Sequence, residues 1–234
     1  MIVAGIVAGG SGMRMGGEIP KQFFELGGKP VIVRTVERFL RHPQTDKIII
    51  GINPEWKEHC EKLMKRFFPE SRDIYTVDGG RNRNETVGNI ISYACKSLGC
   101  TAEDIVLTHD AVRPFVTDRM INDSIDAMEY CDICTVAVPE TDTVVVSSDG
   151  STADSFPDRN TLFRVQTPQT FRMGTFAEVF EALNENEKNS ATDVCRLYKD
   201  RGYRVHLIGG DVRNIKLTYP FDVKVAEFIA ENDD

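Results

Sequence analysis

The sequence lacks the segments that would place it in or across a membrane. No apolar run approaches the roughly 18 residues needed to span a bilayer. The first apolar run, residues 1–8, ends at Gly9, and no basic region precedes it as one would in a secretory leader. We therefore expect a cytoplasmic protein with no membrane association.

Positive charge is also in short supply. The sequence has 28 lysines and arginines against 36 aspartates and glutamates, which leaves a net charge of −8. A nucleic-acid-binding surface must neutralise many phosphates and is normally basic. The composition argues against a nucleic-acid partner, so any phosphate group that the protein binds must lie in a local pocket.

Cysteine is too sparse for a disulfide framework. Six cysteines are spread over 234 residues, and reduced thiols are expected in a chain without an export signal. Cys131 and Cys134 have the spacing of a redox motif or of half a zinc site, but no second Cys/His pair accompanies them. We interpret both as thiols of the core or of a sheet edge.

The sequence does contain a regular alternation of apolar and amphipathic segments. Strands are predicted at residues 2–8, 47–52, 73–77, 104–108, 132–138 and 204–208. Helices are predicted at residues 31–40, 54–67, 84–98, 118–128, 173–183, 192–201 and 219–230. This alternation predicts an α/β fold: a Rossmann-like, open, mostly parallel sheet with helices on both faces.

The alternation is interrupted between residues 139 and 168. Two strand-like runs, TVVVSS and LFRVQ, flank a turn at Asp149 and Gly150. This pattern predicts a β-hairpin that leaves the body of the protein. We expect one domain over residues 1–234, with a projecting β-arm at about 139–166. A further short strand is expected to end at residues 214–216.

A glycine-rich loop follows the first predicted strand. It lacks the Gly-Lys-Ser/Thr of a P-loop, and Met15 stands where a dinucleotide-binding fingerprint needs its third glycine. Arg14 and Lys21 lie close after these glycines instead. Two cations beside a loop of backbone amides are typical of a triphosphate clamp for nucleotidyl transfer. The alternative is a tight turn with two surface cations.

Two later strand ends also carry polar groups. Gly79 and Gly80 precede two arginines and a helix start, which favours a second anion platform or an ordinary N-capped turn. Asp110 follows the fourth strand, where a Mg²⁺ ligand facing a phosphate loop is expected. It could equally form a turn pair with Arg113. We interpret His109 as structural.

Taken together, these motifs resemble one family. The segments AGGSGMRMG, PKQF, GGRNRNET, THDAVRPF, DRN before QTPQ, and NIKLTYPFD occur in order between about residues 3 and 228. They are similar to those of the cytidylyltransferases of sugar-alcohol phosphates, which serve isoprenoid synthesis and teichoic acid synthesis. HDAVRP, NETV and QTPQTF look more like the ribitol-phosphate branch than the methylerythritol-phosphate branch.

The resemblance implies a role for particular residues. CTP would lie on the first glycine loop, with cytosine and the rest of the nucleotide supported by the second; these positions are Ala8, Gly9, Gly10, Gly12, Gly80, Arg83, Thr86 and Ala111. Arg14 and Lys21 would be catalytic, stabilising the reacting α-phosphorus. Asp110 would hold Mg²⁺, and whether Asp222 assists it or only starts the last helix stays open.

The resemblance also implies an acceptor site and a homodimer. The phosphate of an alditol phosphate would be held by Lys216 and by Arg159, which the arm would deliver across a dimer. Thr167 and Thr192 would be weaker contacts.

Two other classes of function share the expected sheet. A nicotinamide-dependent oxidoreductase lacks support, because the third glycine and a ribose-binding acid about 20 residues on are missing. A non-catalytic nucleotide sensor would not need both clamp cations and Asp110.

Overall fold

The computed structural model describes residues 1–10, 19–184, 187 and 193–232. The strands are, in chain order, β1 (Ile2–Ala8), β2 (Glu25–Leu26), β3 (Lys29–Pro30), β4 (Lys47–Ile52), β5 (Ile74–Asp78), β6 (Ile105–Asp110), β7 (Ile133–Pro139), β8 (Phe163–Arg172) and β9 (Val205–Gly209). The α-helices are α1 (Val31–Arg41), α2 (Lys57–Phe67), α3 (Arg83–Leu98), α4 (Asp118–Asp126), α5 (Met173–Glu181), α6 (Val194–Asp200) and α7 (Pro220–Glu231).

Seven of the strands form one sheet in the order β5-β4-β1-β6-β8-β7-β9. All neighbours pair in parallel except β8, which runs antiparallel to both β6 and β7. The predicted open, mostly parallel sheet is confirmed. β1 and β4 consist almost entirely of apolar residues because both faces of these central strands are covered.

The sheet separates two hydrophobic clusters. One lies between the sheet and helices α1, α2 and α4, and includes Phe39, Met64 and Ile121. The other lies under α3, α5 and α6, and includes Ile90 and Phe176. Helices therefore cover both faces, as the apolar spacing predicted. In the part of the chain that the structure describes, no helix combines the length and apolarity that a bilayer crossing requires.

The expected arm is shorter than predicted at its returning end. Residues 163–165 already belong to β8, where Val165 pairs with Ala137. Between β7 and β8, the bridge that the structure records joins Val146 and Ser155 around the expected turn. The LFRVQ run is therefore mainly the start of a ten-residue sheet strand, because its backbone finds partners on β7.

The short strand expected at residues 214–216 was wrong. The chain there forms turns, with the Asn214 amide donating to the Asp211 carbonyl and the Ile215 amide to the Arg213 carbonyl. The Leu217 amide donates to the carbonyl of Val112 and ties the segment to the loop after β6. This tie places Lys216 beside the carboxyl end of β6.

Candidate active site

A cleft of about 530 Å³ opens at the carboxyl ends of β1 and β6. The chain order of the strands reverses direction at this place in the sheet, which is where open α/β sheets bind ligands. The described residues that line it are Val7, Ala8, Gly9, Gly10, Lys21, Gln22, Gly80, Arg81, Asn82, Arg83, Thr86, Asp110, Ala111, Val112 and Lys216. The cleft thus gathers predicted site residues from five separate segments of the sequence.

The first glycine loop contributes the described end of β1. Gly9 and Gly10 line the cleft, whereas the predicted Gly12 and Arg14 lie outside the described residues. Lys21 enters from a 3-10 helix, Lys21–Phe23. The next residue, Gln22, is buried, and its side-chain amide donates to the Ala8 carbonyl at 3.0 Å. Gln22 therefore fixes the segment that carries Lys21 against the end of β1.

The second glycine loop is closed by a hydroxyl. The Gly80 amide donates to Thr86 Oγ1 at 3.0 Å, and that hydroxyl donates to the Asn82 carbonyl at 2.9 Å. A Cβ on Gly80 would lie 2.3 Å from Glu85 Cβ and 2.9 Å from the Thr86 nitrogen, so only glycine fits. Asn82 also caps α3 by accepting from the Glu85 amide. The N-capped turn is present, and anion binding by this loop stays a prediction.

Asp110 lies at the centre of a cationic cluster. Its carboxylate pairs with Arg83 Nε at 3.4 Å, Arg113 Nε at 3.5 Å and Lys216 Nζ at 2.9 Å. Burial opposes its ionisation, but the positive charges of Arg83, Lys216 and Arg113 outweigh that effect and hold the pKa well below its usual range. The turn pair with Arg113 is present as one part of this cluster.

Each arginine of the cluster has a second partner. Arg83 Nη1 donates to Gln169 Oε1 at 3.0 Å, and Arg113 Nη1 donates to the Asn214 carbonyl at 2.7 Å. Gln169 lies on β8 and is fully buried. These contacts hold both guanidinium groups in fixed orientations at the edge of the cleft.

His109 and Thr167 connect the buried side of the site. His109 Nε2 lies 3.0 Å from the Arg113 carbonyl and must donate to it, because a carbonyl only accepts. Complete burial lowers the pKa of His109 to about 4, so the ring is neutral and Nδ1 accepts from the Thr167 hydroxyl at 3.0 Å. Thr167 Oγ1 in turn accepts from the Asp110 amide at 3.2 Å. His109 therefore has the structural role expected of it.

A magnesium ion fits this site only together with a polyphosphate. Among the described residues, no three His, Cys, Asp or Glu side chains group closely enough to hold a metal. Asp110 offers one carboxylate, and three cations already surround it. Mg²⁺ commonly takes one protein carboxylate and completes its shell with phosphate oxygens. Negative phosphates would offset the excess positive charge of the cluster.

Asp222, the other acid considered for the metal, is used elsewhere in this structure. Its Oδ2 accepts from the amides of Thr218 and Tyr219 at 2.6 and 2.8 Å, which caps α7. The helix-start interpretation of Asp222 therefore has direct structural support.

Of the residues predicted to bind the acceptor, only some lie at the cleft within one chain. Lys216 lines the cleft, but Arg159 is exposed on the arm and donates to the Thr141 carbonyl at 3.2 Å. Thr167 is buried behind Asp110, and Thr192 lies outside the described residues. Their contacts with an acceptor stay predictions.

Sequence reasoning assigned no role in the site to Gln22, Gln169 and Asn214, and it considered Arg113 only as a turn partner of Asp110. Gln169, on β8, accepts a hydrogen bond from Arg83, and Asn214, in the turn before Lys216, accepts one from Arg113. In both pairs the two residues are far apart in the sequence. Gln169 and Asn214 do lie inside the QTPQ and NIKL segments, which was the sequence signal that could have indicated them.

Fold and site together define a class. A mostly parallel α/β sheet with glycine loops and clustered cations at its strand ends is typical of enzymes that bind nucleotides. Comparison with known families is more specific: the family model described as IspD, 2-C-methyl-D-erythritol 4-phosphate cytidylyltransferase, matches residues 2–232. The chain belongs to this cytidylyltransferase family.

Individual relatives refine the comparison. The chain is 40% identical over 235 aligned residues, the full length of both proteins, to a ribitol-5-phosphate cytidylyltransferase of Streptococcus pneumoniae serotype 2. A crystal structure of a 4-diphosphocytidyl-2C-methyl-D-erythritol synthase matches with a TM-score of 0.82 and 28% identity, over 98% of this chain and 99% of that one. The corresponding synthase of Anaerococcus prevotii matches with a TM-score of 0.78 and 25% identity, over 98% of each chain.

Proposed function

We propose that the protein transfers the cytidylyl group of CTP to D-ribitol 5-phosphate, forming CDP-ribitol and releasing pyrophosphate. The proposal is carried by one observation: the cleft at the carboxyl ends of β1 and β6 gathers Lys21, Arg83 and Lys216 around glycine loops, and Arg113 adds a further positive charge through its pair with Asp110. Such a site suits two phosphorylated substrates. The choice of ribitol phosphate is supported by the 40% identity to the streptococcal enzyme over the full length of both proteins.

The chemistry requires positioning more than proton transfer. A phosphate oxygen of the acceptor forms a bond to the α-phosphorus of CTP. The bond from the α-phosphorus to the bridging oxygen breaks, and that oxygen leaves with pyrophosphate. Because a phosphate monoester has its second pKa at roughly 6, the attacking oxygen is already ionised at neutral pH. The protein needs no general base for this step.

The cations of the chain stabilise the charge that develops during the transfer. Lys21 lines the cleft beside Gly9 and Gly10, where the glycine loop would hold the triphosphate. We assign Lys21 and Arg14 to the α-phosphorus, where fixed positive charges act only as charge builds up. Arg83 would contact the nucleotide, since the second glycine loop places it at the opposite wall. Mg²⁺, held by Asp110 and the triphosphate, would neutralise further charge when bound.

We further propose that the protein is a homodimer that exchanges arms. Exposed apolar side chains cluster on and beside the arm, and they are Val145, Val146, Phe156, Phe163 and Val165. Burying such residues against a second copy would be favourable. The same contact would bring Arg159 to the acceptor site of its partner.

A second candidate function differs from the first only in its acceptor, and one observation favours it. The family model that matches this chain carries the name of the methylerythritol phosphate enzyme. That compound is therefore the alternative acceptor.

Pyrophosphate release with CTP and each acceptor in turn tests the proposal. We expect release with ribitol 5-phosphate, little with 2-C-methyl-D-erythritol 4-phosphate, and little when UTP replaces CTP. Efficient release with methylerythritol phosphate alone would reassign the acceptor, and no release with either acceptor would refute the proposal.

A further inference from the structure

The three cations that surround Asp110 are not held equally. Arg83 is also bound by Gln169, and Arg113 is also bound by the Asn214 carbonyl. For Lys216 Nζ, the structure records one partner among the described residues, the Asp110 carboxylate at 2.9 Å. Of these three cations, Lys216 is therefore the one whose departure breaks no second contact with the described residues.

The exposed fractions of the three side chains also indicate that Lys216 is the cation held least firmly. The Lys216 side chain is 41% exposed, against 17% for Arg83 and 11% for Arg113. A lysine ammonium is a compact charge on a flexible stem, whereas the two guanidinium groups are held in fixed orientations. Lys216 can therefore swing towards solvent, while the arginines stay in place.

We propose that Lys216 is an exchangeable counter-ion of Asp110 that couples nucleotide binding to acceptor binding. In the nucleotide-free protein, Lys216 neutralises the buried carboxylate. When a metal–nucleotide complex supplies the positive charge next to Asp110, Lys216 is released and its ammonium is free to bind the phosphate of the acceptor. This inference rests on the proposed function.

The exchange follows from electrostatics. Without Lys216 the buried carboxylate would keep only its two longer pairs, with Arg83 at 3.4 Å and Arg113 at 3.5 Å, so Lys216 stays with Asp110 until another cation replaces it. Until then the ammonium is a poor ligand for a second anion, because its charge is already partly neutralised. Coupling between two sites is reciprocal, so the acceptor must strengthen nucleotide binding by the same factor.

Calorimetry of the full protein measures this coupling. Ribitol 5-phosphate is titrated into protein alone and into protein saturated with Mg²⁺ and α,β-methylene-CTP, which cannot transfer its cytidylyl group. We expect the analogue to tighten acceptor binding about tenfold or more. Lys216→Gln should bind the acceptor weakly in both states, with a ratio near one. Lys224→Gln, the same substitution at an exposed lysine of α7, should retain the wild-type ratio.

The variant Asp110→Asn distinguishes a Lys216 that exchanges between Asp110 and the acceptor from a Lys216 that only binds the acceptor. Without the carboxylate, Lys216 is free from the start, so this variant should bind the acceptor as tightly without the analogue as the wild type does with it. If Lys216 only bound the acceptor, the substitution would leave the nucleotide-free affinity unchanged.

A spectroscopic measurement on the wild-type sequence does not depend on that variant folding. Reductive ¹³C-methylation keeps the lysine charge, and the Lys216 signal is assigned by its loss in Lys216→Arg. We expect this signal to shift on adding Mg²⁺ and the analogue, and again on adding ribitol 5-phosphate. The proposed exchange is contradicted if the Lys216 signal does not shift when the analogue is added, or if the acceptor binds equally tightly with and without the analogue. Failure of the analogue to bind at all would instead refute the proposed function.

Discussion

Arg83 Nη1 donates to Gln169 Oε1 at 3.0 Å, across the boundary between α3 and β8. The orientation of the Gln169 amide is set from its other end, since Nε2 donates to Asp193 Oδ2 at 2.8 Å. Asp193 in turn caps α6 by accepting from the Cys195 amide. A partly buried chain of hydrogen bonds thus fixes Arg83 at one wall of the cleft.

Replacing Gln169 should weaken nucleotide binding without contacting the nucleotide. In Gln169→Leu, Arg83 loses a hydrogen bond to a neutral amide, and Asp193 loses a donor. Hydrogen bonds to charged groups contribute about 1.5–3 kcal/mol, so we expect the KM for CTP to rise roughly 10- to 100-fold. Steady-state kinetics with CTP varied measures this change.

The matched control is Gln44→Leu, the same substitution at an exposed glutamine. It should leave the KM for CTP unchanged. A wild-type KM in Gln169→Leu would mean that Arg83 does not depend on this contact.

Gly80→Ala should disrupt the second glycine loop. The added Cβ would lie 2.9 Å from the Thr86 nitrogen, which is a backbone atom and cannot move away alone. The loop must shift, and the Gly80 hydrogen bond to Thr86 is lost with it. We expect calorimetry to show at least about fivefold weaker binding of the CTP analogue, since a displaced backbone donor costs about 1 kcal/mol or more.

Gly88→Ala, in the helix α3 that follows this loop, provides the comparison. A Cβ on Gly88 would meet Phe180 at 3.6 Å, which is ordinary contact. Alanine is about 1 kcal/mol better than glycine inside a helix, so this variant should be more stable in urea and bind the analogue normally. Equal effects of the two substitutions would argue against a special role for Gly80.

Lys21→Ala should slow cytidylyl transfer while the fold is retained. Removing one fixed charge from the transition state costs roughly 10²-fold or more in kcat, and Arg14→Ala should behave in the same way. Circular dichroism should match the wild type, and Lys65→Ala, at an exposed lysine of α2, should be fully active. Turnover at the wild-type rate in either variant would remove that residue from the catalytic assignment.

The pH dependence of kcat/KM for the acceptor should reflect ionisation of the acceptor phosphate and not of a protein side chain. The clustered cations keep the pKa of Asp110 far below its usual range, and burial lowers that of His109 to about 4. Neither group titrates between about pH 5 and 9. The acceptor dianion is lost as pH falls through roughly 6, so kcat/KM for the acceptor should decline below that pH and be flat above it. A requirement for a deprotonated group with a pKa above 7 would contradict this account.

Mixed dimers test whether Arg159 acts across the interface. Lys21→Ala and Arg159→Ala are each expected to be nearly inactive. After the two are unfolded and refolded together, heterodimers carry one intact site, so about a quarter of the wild-type activity should return. No recovery, with a dimer confirmed by light scattering, would place Arg159 in its own subunit's site or outside the reaction.

The sequence predicted the central sheet and much of the site for a physical reason. In parallel strands, apolar runs and the polar residues that follow them are both local features, so Gly9, Gly80 and Asp110 could be located at strand ends. Lys216 could be placed only through the resemblance.

Features that depend on distant partners could not be predicted. β8 inserts antiparallel between β6 and β7, and its pairing of Thr108 with Gln169 joins residues far apart in sequence. Without that pairing, nothing in the sequence connects Gln169 to Arg83. The turns at residues 211–217 resemble a strand in composition, but their backbone groups bond within the turn and to Val112.

The central claim, transfer of the cytidylyl group to ribitol 5-phosphate, is tested most directly by competition. Purified protein is given CTP, Mg²⁺ and equal concentrations of ribitol 5-phosphate and 2-C-methyl-D-erythritol 4-phosphate, and the products are separated by mass spectrometry at low conversion. The product ratio equals the ratio of the two kcat/KM values. We predict that CDP-ribitol is the dominant product; a mixture dominated by the methylerythritol product would contradict the account.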